Sequence, residues 1–101
     1  MNTERKLILE KIANWQEAYM DKLNKTYSRI LADKKSYPSD KFWKLEKRIN
    51  KDKKSPLVVF RTDDDYLFAP MIAKFIKLGI AKEEEISDFS EDFQNEIRGH
   101  L

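Results

Sequence analysis

The sequence predicts an all-α fold, a small helical bundle of four to five helices built on one long N-terminal helix, within a single domain spanning residues 1–101. Three observations carry that expectation. From Glu4 to Asp33 the apolar side chains recur at steps of three and four for about eight turns, which is helical periodicity. Only two Gly and three Pro occur in 101 residues, a scarcity that helices tolerate and turn-rich sandwiches or barrels do not. Six Phe, four Tyr and two Trp supply large rings for one core, which argues against disorder although 38% of the chain is charged.

The first helix places Ile8, Ile12, Trp15, Tyr19, Leu23, Tyr27 and Ile30 on one face. Leu9, Ala13, Met20 and Leu31 widen that arc enough to touch two neighbours. Asn2 or Thr3 is suited to cap its start, and Lys34 and Lys35 complement the negative end of its dipole. At about 1.5 Å per residue it runs roughly 45 Å, longer than a compact domain of this size is wide. Part of its apolar arc therefore has to be covered end to end by shorter helices or by a second subunit.

The KKSYPSD segment breaks the pattern, because Pro38 disfavours helix at Tyr37 and Ser39 can cap the next helix. That second helix is expected over about Asp40–Lys51. Its Phe42, Leu45 and Ile49 share a face that the core should take up, while Lys41, Lys44, Arg48 and Lys51 share another about a third of a turn away. Trp43 belongs to neither group and lies closer to Lys47 and Asn50. After a charged linker, Ser55 and Pro56 suit the start of a helix. The apolar run Leu57–Phe60 is consistent with a short helix or a short strand; with no convincing second strand to satisfy its backbone, helix is the favoured reading.

Thr62 and Asp63, Asp64 and Asp65 resemble a helix start, with a hydroxyl cap and carboxylates at the positive end of the dipole. The helix beyond them is apolar around nearly its whole circumference and should be the most buried element, centred on the face of the first helix. Pro70 either kinks it or marks a true start near Phe68, and Gly79 stops it. A short acidic helix near Lys82–Ser87 and a terminal helix capped by Ser90 complete the chain. Ile80, Ile86, Phe89, Phe93 and Ile97 pin this region to the core while its acids stay solvated.

The net charge of +2 conceals a division: residues 1–61 carry 16 basic and 8 acidic side chains, and residues 62–101 carry 4 and 10. Either the halves complement each other within the fold, or a basic patch awaits a partner. Lys outnumbers Arg 15 to 5, which favours point-charge contacts over bidentate recognition.

Catalysis has little to stand on. His100 is the single histidine and the penultimate residue, no serine sits in a glycine-flanked elbow, and no glycine loop cradles a phosphate. The chain is not expected to be an enzyme or to carry a cofactor. Asp63–Asp65 and Glu83–Glu85 lack the alternating spacing of a calcium loop, so capping explains them better than a metal site. With no cysteine, disulfides and thiolate sites are excluded. The interrupted apolar pattern of MNTERKLILEKIANW does not read as a signal peptide, and a cytoplasmic protein is expected.

The strongest candidate for a functional surface is the basic stripe Lys41, Lys44, Lys47, Arg48 and Lys51 with Trp43 beside it, extended by Lys53 and Lys54. It suits a protein partner, or a nucleic acid whose phosphates the cations track while Trp43 stacks on a base. A purely solvated face is the plain alternative. Membrane binding is not expected, since the apolar face of this helix is small and wanted in the core. The expected function is a non-catalytic protein-interaction module, with homodimerisation along the first helix as a secondary expectation. A small nucleic-acid-binding regulator is the alternative.

Overall fold

The computed structural model describes residues 3–59 and 64–101. Among them the fold is all-helical, with four α-helices: α1 (Thr3–Ala32), α2 (Pro38–Asp52), α3 (Phe68–Lys77) and α4 (Glu91–Arg98). Two short 3-10 segments, Asp65–Leu67 and Glu83–Ile86, lead into α3 and α4. No strand occurs among the described residues.

The core is built where α3 and α4 lie on the N-terminal half of α1. Ile8, Ile12 and Trp15 of α1 meet Phe68, Met71, Ile72 and Phe75 of α3, with Ile86, Phe89 and Ile97 closing the far side, all of them buried. Phe75 is the hub: the Trp15 ring tilts onto it at 6.1 Å between centroids, and Tyr19 meets it edge-on at 6.4 Å. Such pairs add about 0.5–1.5 kcal/mol each beyond the area they bury. As expected, α3 is the most buried element, with Pro70 in its first turn and its start at Phe68. Its first residue sits by Arg5 and its end by Lys22, whose ammonium reaches the Leu78 carbonyl at 3.5 Å, so it crosses the middle of α1 and leaves the C-terminal third of that helix uncovered.

The end of α3 is closed by backbone bonds that only a left-handed residue permits. Gly79, at φ +75°, lets its own N–H donate to the Ile76 carbonyl at 3.0 Å and lets the Ile80 N–H reach back to Phe75 at 2.9 Å. These two bonds satisfy carbonyls that a helix end leaves orphaned, and Ile80 then packs on the core. Ser90 caps α4 by accepting the Phe93 N–H at 3.3 Å, and Asp64 caps the first 3-10 turn by accepting the Tyr66 N–H at 3.0 Å. Thr62 and Asp63 lie outside the described residues, as does Asn2; Thr3 is already helical.

Beyond Leu23, α2 is the one helix among the described residues that accompanies α1, and the two form an antiparallel hairpin that projects from the core. The molecule measures 52 × 26 × 20 Å with a radius of gyration of 16.5 Å. A compact chain of this length would have about 13 Å, so the projecting arm dominates the shape.

Several local expectations are corrected. The α2 helix starts at Pro38 with Tyr37 in the extended N-cap position, so Ser39 is helical and caps nothing. Residues 53–59 form hydrogen-bonded turns where a short helix was expected: Ser55 accepts the Leu57 N–H through Oγ at 3.2 Å and the Val58 N–H through its carbonyl at 2.9 Å. Phe60 lies outside the described residues. The acidic segment after Ala81 is a 3-10 turn, Glu83–Ile86, and not an α-helix.

The largest correction concerns α2, which buries no residue at all. Phe42 is 61% exposed and Ile49 40%, although both were expected in the core. Leu45 is half-buried. The physical reason is coverage. With about 1.5 Å of rise per residue, α3 and α4 together span little more than half of α1, and among the described residues no further helix is left to cover the arm.

Candidate macromolecule-binding surface

Ridge spacing decides how α2 presents its side chains. Lys41, Leu45, Arg48 and Asp52 recur at steps of four, three and four, and all four are half-buried along the seam with α1. That seam lies between the basic stripe and the apolar stripe, so each is half turned to water. The predicted stripe is thereby divided: Lys41 and Arg48 belong to the seam, while Lys44, Lys47 and Lys51 are exposed. Trp43, 63% exposed, points almost directly away from α1, with Lys47 one turn further along. Its ring stands perpendicular to Phe42 at 4.9 Å and 87°, a two-ring platform outside any core.

The seam is held by one polar cluster. The Tyr27 hydroxyl donates to Asp52 Oδ2 at 2.6 Å, and Arg48 Nε donates to the same oxygen at 3.0 Å. Burial, then the hydrogen bond to Asp52 and its negative charge, push the Tyr27 hydroxyl up to about 12. At the hairpin tip, Asp33 accepts the Lys35 N–H at 2.9 Å and the Ser36 hydroxyl at 2.7 Å; the backbone bond first, and the hydroxyl second, lower its carboxyl below the usual range.

Beside the seam runs a crevice of about 200 Å³ whose walls include Met20, Leu23 and Tyr27 from α1, Ile49 from α2 and Val58 from the turn after it. Asp52 and Lys53 lie at its edge. Small-molecule pockets usually enclose about 300–1,000 Å³, so this one fits a single anchoring side chain better than a ligand. Phe42 and Ile49 lie on the same side of α2 and extend the apolar strip past the crevice.

Sequence reasoning placed Phe42 and Ile49 in the core and missed the crevice. A signal was present. The apolar face of α2 holds three side chains within about 60°, narrower than the stripe of about 100° typical of a helix seated in a core.

The charge division resolves differently at the two ends of the molecule. Near the core the halves complement each other: Arg5 pairs with Asp65 at 3.1 Å, and Lys11 pairs with Asp88 at 3.2 Å while lying 5.5 Å above the Phe89 ring. On the arm, the ion pairs among the described residues are internal, Lys25 with Asp21 and Arg48 with Asp52. Residues 20–54 hold twelve basic and five acidic side chains, a surplus of seven positive charges.

At the opposite end a cleft of about 390 Å³ is lined by Glu4, Arg5, Asp65, Tyr66, Glu96 and His100, among others. His100 is exposed there, in a terminal turn whose N–H donates to the Ile97 carbonyl at 3.0 Å. Among the described residues no group of three or more His, Asp or Glu is arranged to hold a metal ion. No helix among them is long and apolar enough to cross a membrane. No protein-family model, curated protein or solved structure matches the chain.

Proposed function

We propose that the chain is a non-catalytic protein-interaction module, cytoplasmic, in which the core of α1, α3 and α4 holds out the α1–α2 arm as the binding element. One observation carries this: α2 buries nothing yet exposes Phe42, Trp43 and Ile49. Exposed rings on a rigid helix supply large contact area with little ordering cost, and aromatic residues dominate the energetics of protein interfaces. The test is capture from nuclease-treated host extract by the full chain and by a variant carrying Phe42→Ser and Trp43→Ser. A protein retained by the first and lost by the second supports the reading, and capture indifferent to the double substitution overturns it.

A second reading, a small nucleic-acid-binding regulator, is favoured by Trp43 standing exposed among Lys44 and Lys47. It requires affinity for RNA or DNA that falls with salt, with a slope set by the phosphates contacted. Replacing Lys44, Lys47 and Arg48 by Glu would abolish that affinity. If none is measurable even at low salt, this reading is lost.

A further inference from the structure

We infer that the side of the arm turned away from the crevice is a track for single-stranded nucleic acid, with Lys44, Lys47 and Lys51 of α2 and Arg29 of α1 on its phosphates and Trp43 stacked on a base. The inference rests on the nucleic-acid reading of α2, and names the form of the strand and the α1 residue that shares in holding it. Placement supplies the first step. At about 100° per residue, Lys44, Lys47 and Lys51 lie roughly 140–160° round α2 from Ile49, and Arg29 lies about 180° round α1 from Met20. Ile49 and Met20 wall the crevice, so these four exposed cations gather on the other side of the hairpin. Tyr27 meets Asp52 beside Arg48, which sets Arg29 about level with Lys47. The acids on this side, Asp33 and Asp40, lie at the hairpin tip, and the Asp33 carboxylate already accepts the Lys35 N–H and the Ser36 hydroxyl.

Chemistry selects the occupant. The centres of protein–protein interfaces are depleted in Lys and built on apolar and aromatic side chains, whereas the exposed apolar residues Phe42 and Ile49 lie on the crevice side of α2. Lysines that follow one another along a helix face suit phosphates, which accept point charges without a fixed geometry. Lys44 to Lys51 covers about 10 Å of the axis, about three phosphate steps of one strand. Trp43 decides that the strand is single. Its ring is 63% exposed, one turn before Lys47, and a ring of this kind takes a base only where that base is unstacked. Sequence in a duplex is read chiefly by Arg, Asn and Gln on base edges, and those of α2 are engaged: Arg48 donates to Asp52 and Asn50 to Glu46.

The experiment is fluorescence anisotropy of the full chain with labelled oligo(dT) and oligo(U) of about 12 nucleotides, and with a duplex of the same length. Both single strands should bind with a Kd of about 1–100 μM at physiological salt, and the duplex at least about fivefold more weakly. The emission of Trp43 should be quenched while buried Trp15 changes little. Four cations on phosphates predict a slope of about −3 in log affinity against log salt. Arg29→Gln and Lys51→Gln should each make that slope shallower by about 0.7, whereas Trp43→Ala should weaken binding at least about fivefold and leave the slope as it was. Circular dichroism should stay unchanged in all three variants, since each of these residues is exposed. The inference is overturned if the duplex binds as tightly as the strands, if Trp43→Ala binds as the parent does, or if Arg29→Gln leaves the slope unaltered. It is equally overturned if poly(Glu) or phosphatidylglycerol vesicles bind more tightly than either strand at the same salt. A duplex bound equally well through Lys44 and Lys47 would leave the nucleic-acid reading standing and remove only the single strand, while no binding of any nucleic acid at low salt would remove both.

Discussion

The Trp15 indole N–H donates to Glu85 Oε2 at 3.1 Å, joining α1 to the second 3-10 turn across 70 positions of sequence. The other carboxylate oxygen of Glu85 accepts the Lys82 N–H at 2.9 Å and so caps that turn. One side chain therefore fixes the turn and satisfies the polar atom of a core ring that is only 4% exposed. Glu85→Ala strips Trp15 of its acceptor and should cost about 1–3 kcal/mol in denaturant-monitored unfolding. Glu85→Gln keeps a carbonyl acceptor and should recover much of that loss.

The seam between α1 and α2 should be sensitive to alkali. In the folded protein the Tyr27 hydroxyl titrates at about 12 against an ordinary 10.0, so above pH 10 the unfolded chain releases this proton while the folded one keeps it. The folded state then binds more protons, and stability falls as pH rises. The contribution is whole below about pH 10 and is lost between about 10 and 12. Comparing unfolding of the parent and Tyr27→Phe across that window isolates it, because the two chains differ by this hydroxyl alone. The variant should be less stable at neutral pH by about 1 kcal/mol, and the gap should close with alkali. A constant gap would mean that Tyr27 does not hold its proton through Asp52.

Much of this architecture is legible in the sequence because periodicity reports which side chains share a face. Ile8, Ile12, Trp15 and Leu23 were aligned by their spacing and are buried; Pro70, Gly79 and Ser90 mark helix ends through local chemistry that needs no tertiary knowledge. Periodicity does not report whether anything lies opposite a face. Phe42, Leu45 and Ile49 read as a core stripe, yet among the described residues no element is left to meet it, because α3 and α4 both pack toward the N-terminal end of α1. Similarly, Lys41 and Lys44 look equivalent on a helix, and only the rotation of α2 about its axis sends the first to the seam and the second to water. The Trp15–Glu85 bond was out of reach, since three consecutive glutamates differ only in where the turn aims them.

Gly79 offers a test of backbone conformation free of packing. An added Cβ would meet nothing within 4 Å, but φ is +75°. Gly79→Ala should therefore cost about 1–2 kcal/mol from the left-handed conformation alone. Gly79→Asn should cost less, since asparagine tolerates this region better than other residues with side chains. If alanine is neutral at this position, the α3 terminus is closed in some other way.

Phe42 and Phe75 are the same residue in opposite circumstances, and truncating each separates binding surface from core. Phe75 is fully buried in the core against Trp15 and Tyr19, so Phe75→Ala should cost about 3–5 kcal/mol through lost transfer energy and the cavity left behind. That is a large share of the roughly 5–15 kcal/mol by which domains of this kind are stable. Phe42, 61% exposed and touching chiefly Trp43, should change stability on truncation by no more than about 0.5 kcal/mol. Chemical denaturation of the two variants measures both. A loss above about 2 kcal/mol at Phe42 would exceed what a surface truncation gives. It would mean that the arm folds back on itself in solution and buries its rings, and the exposed platform on which partner binding rests would not exist.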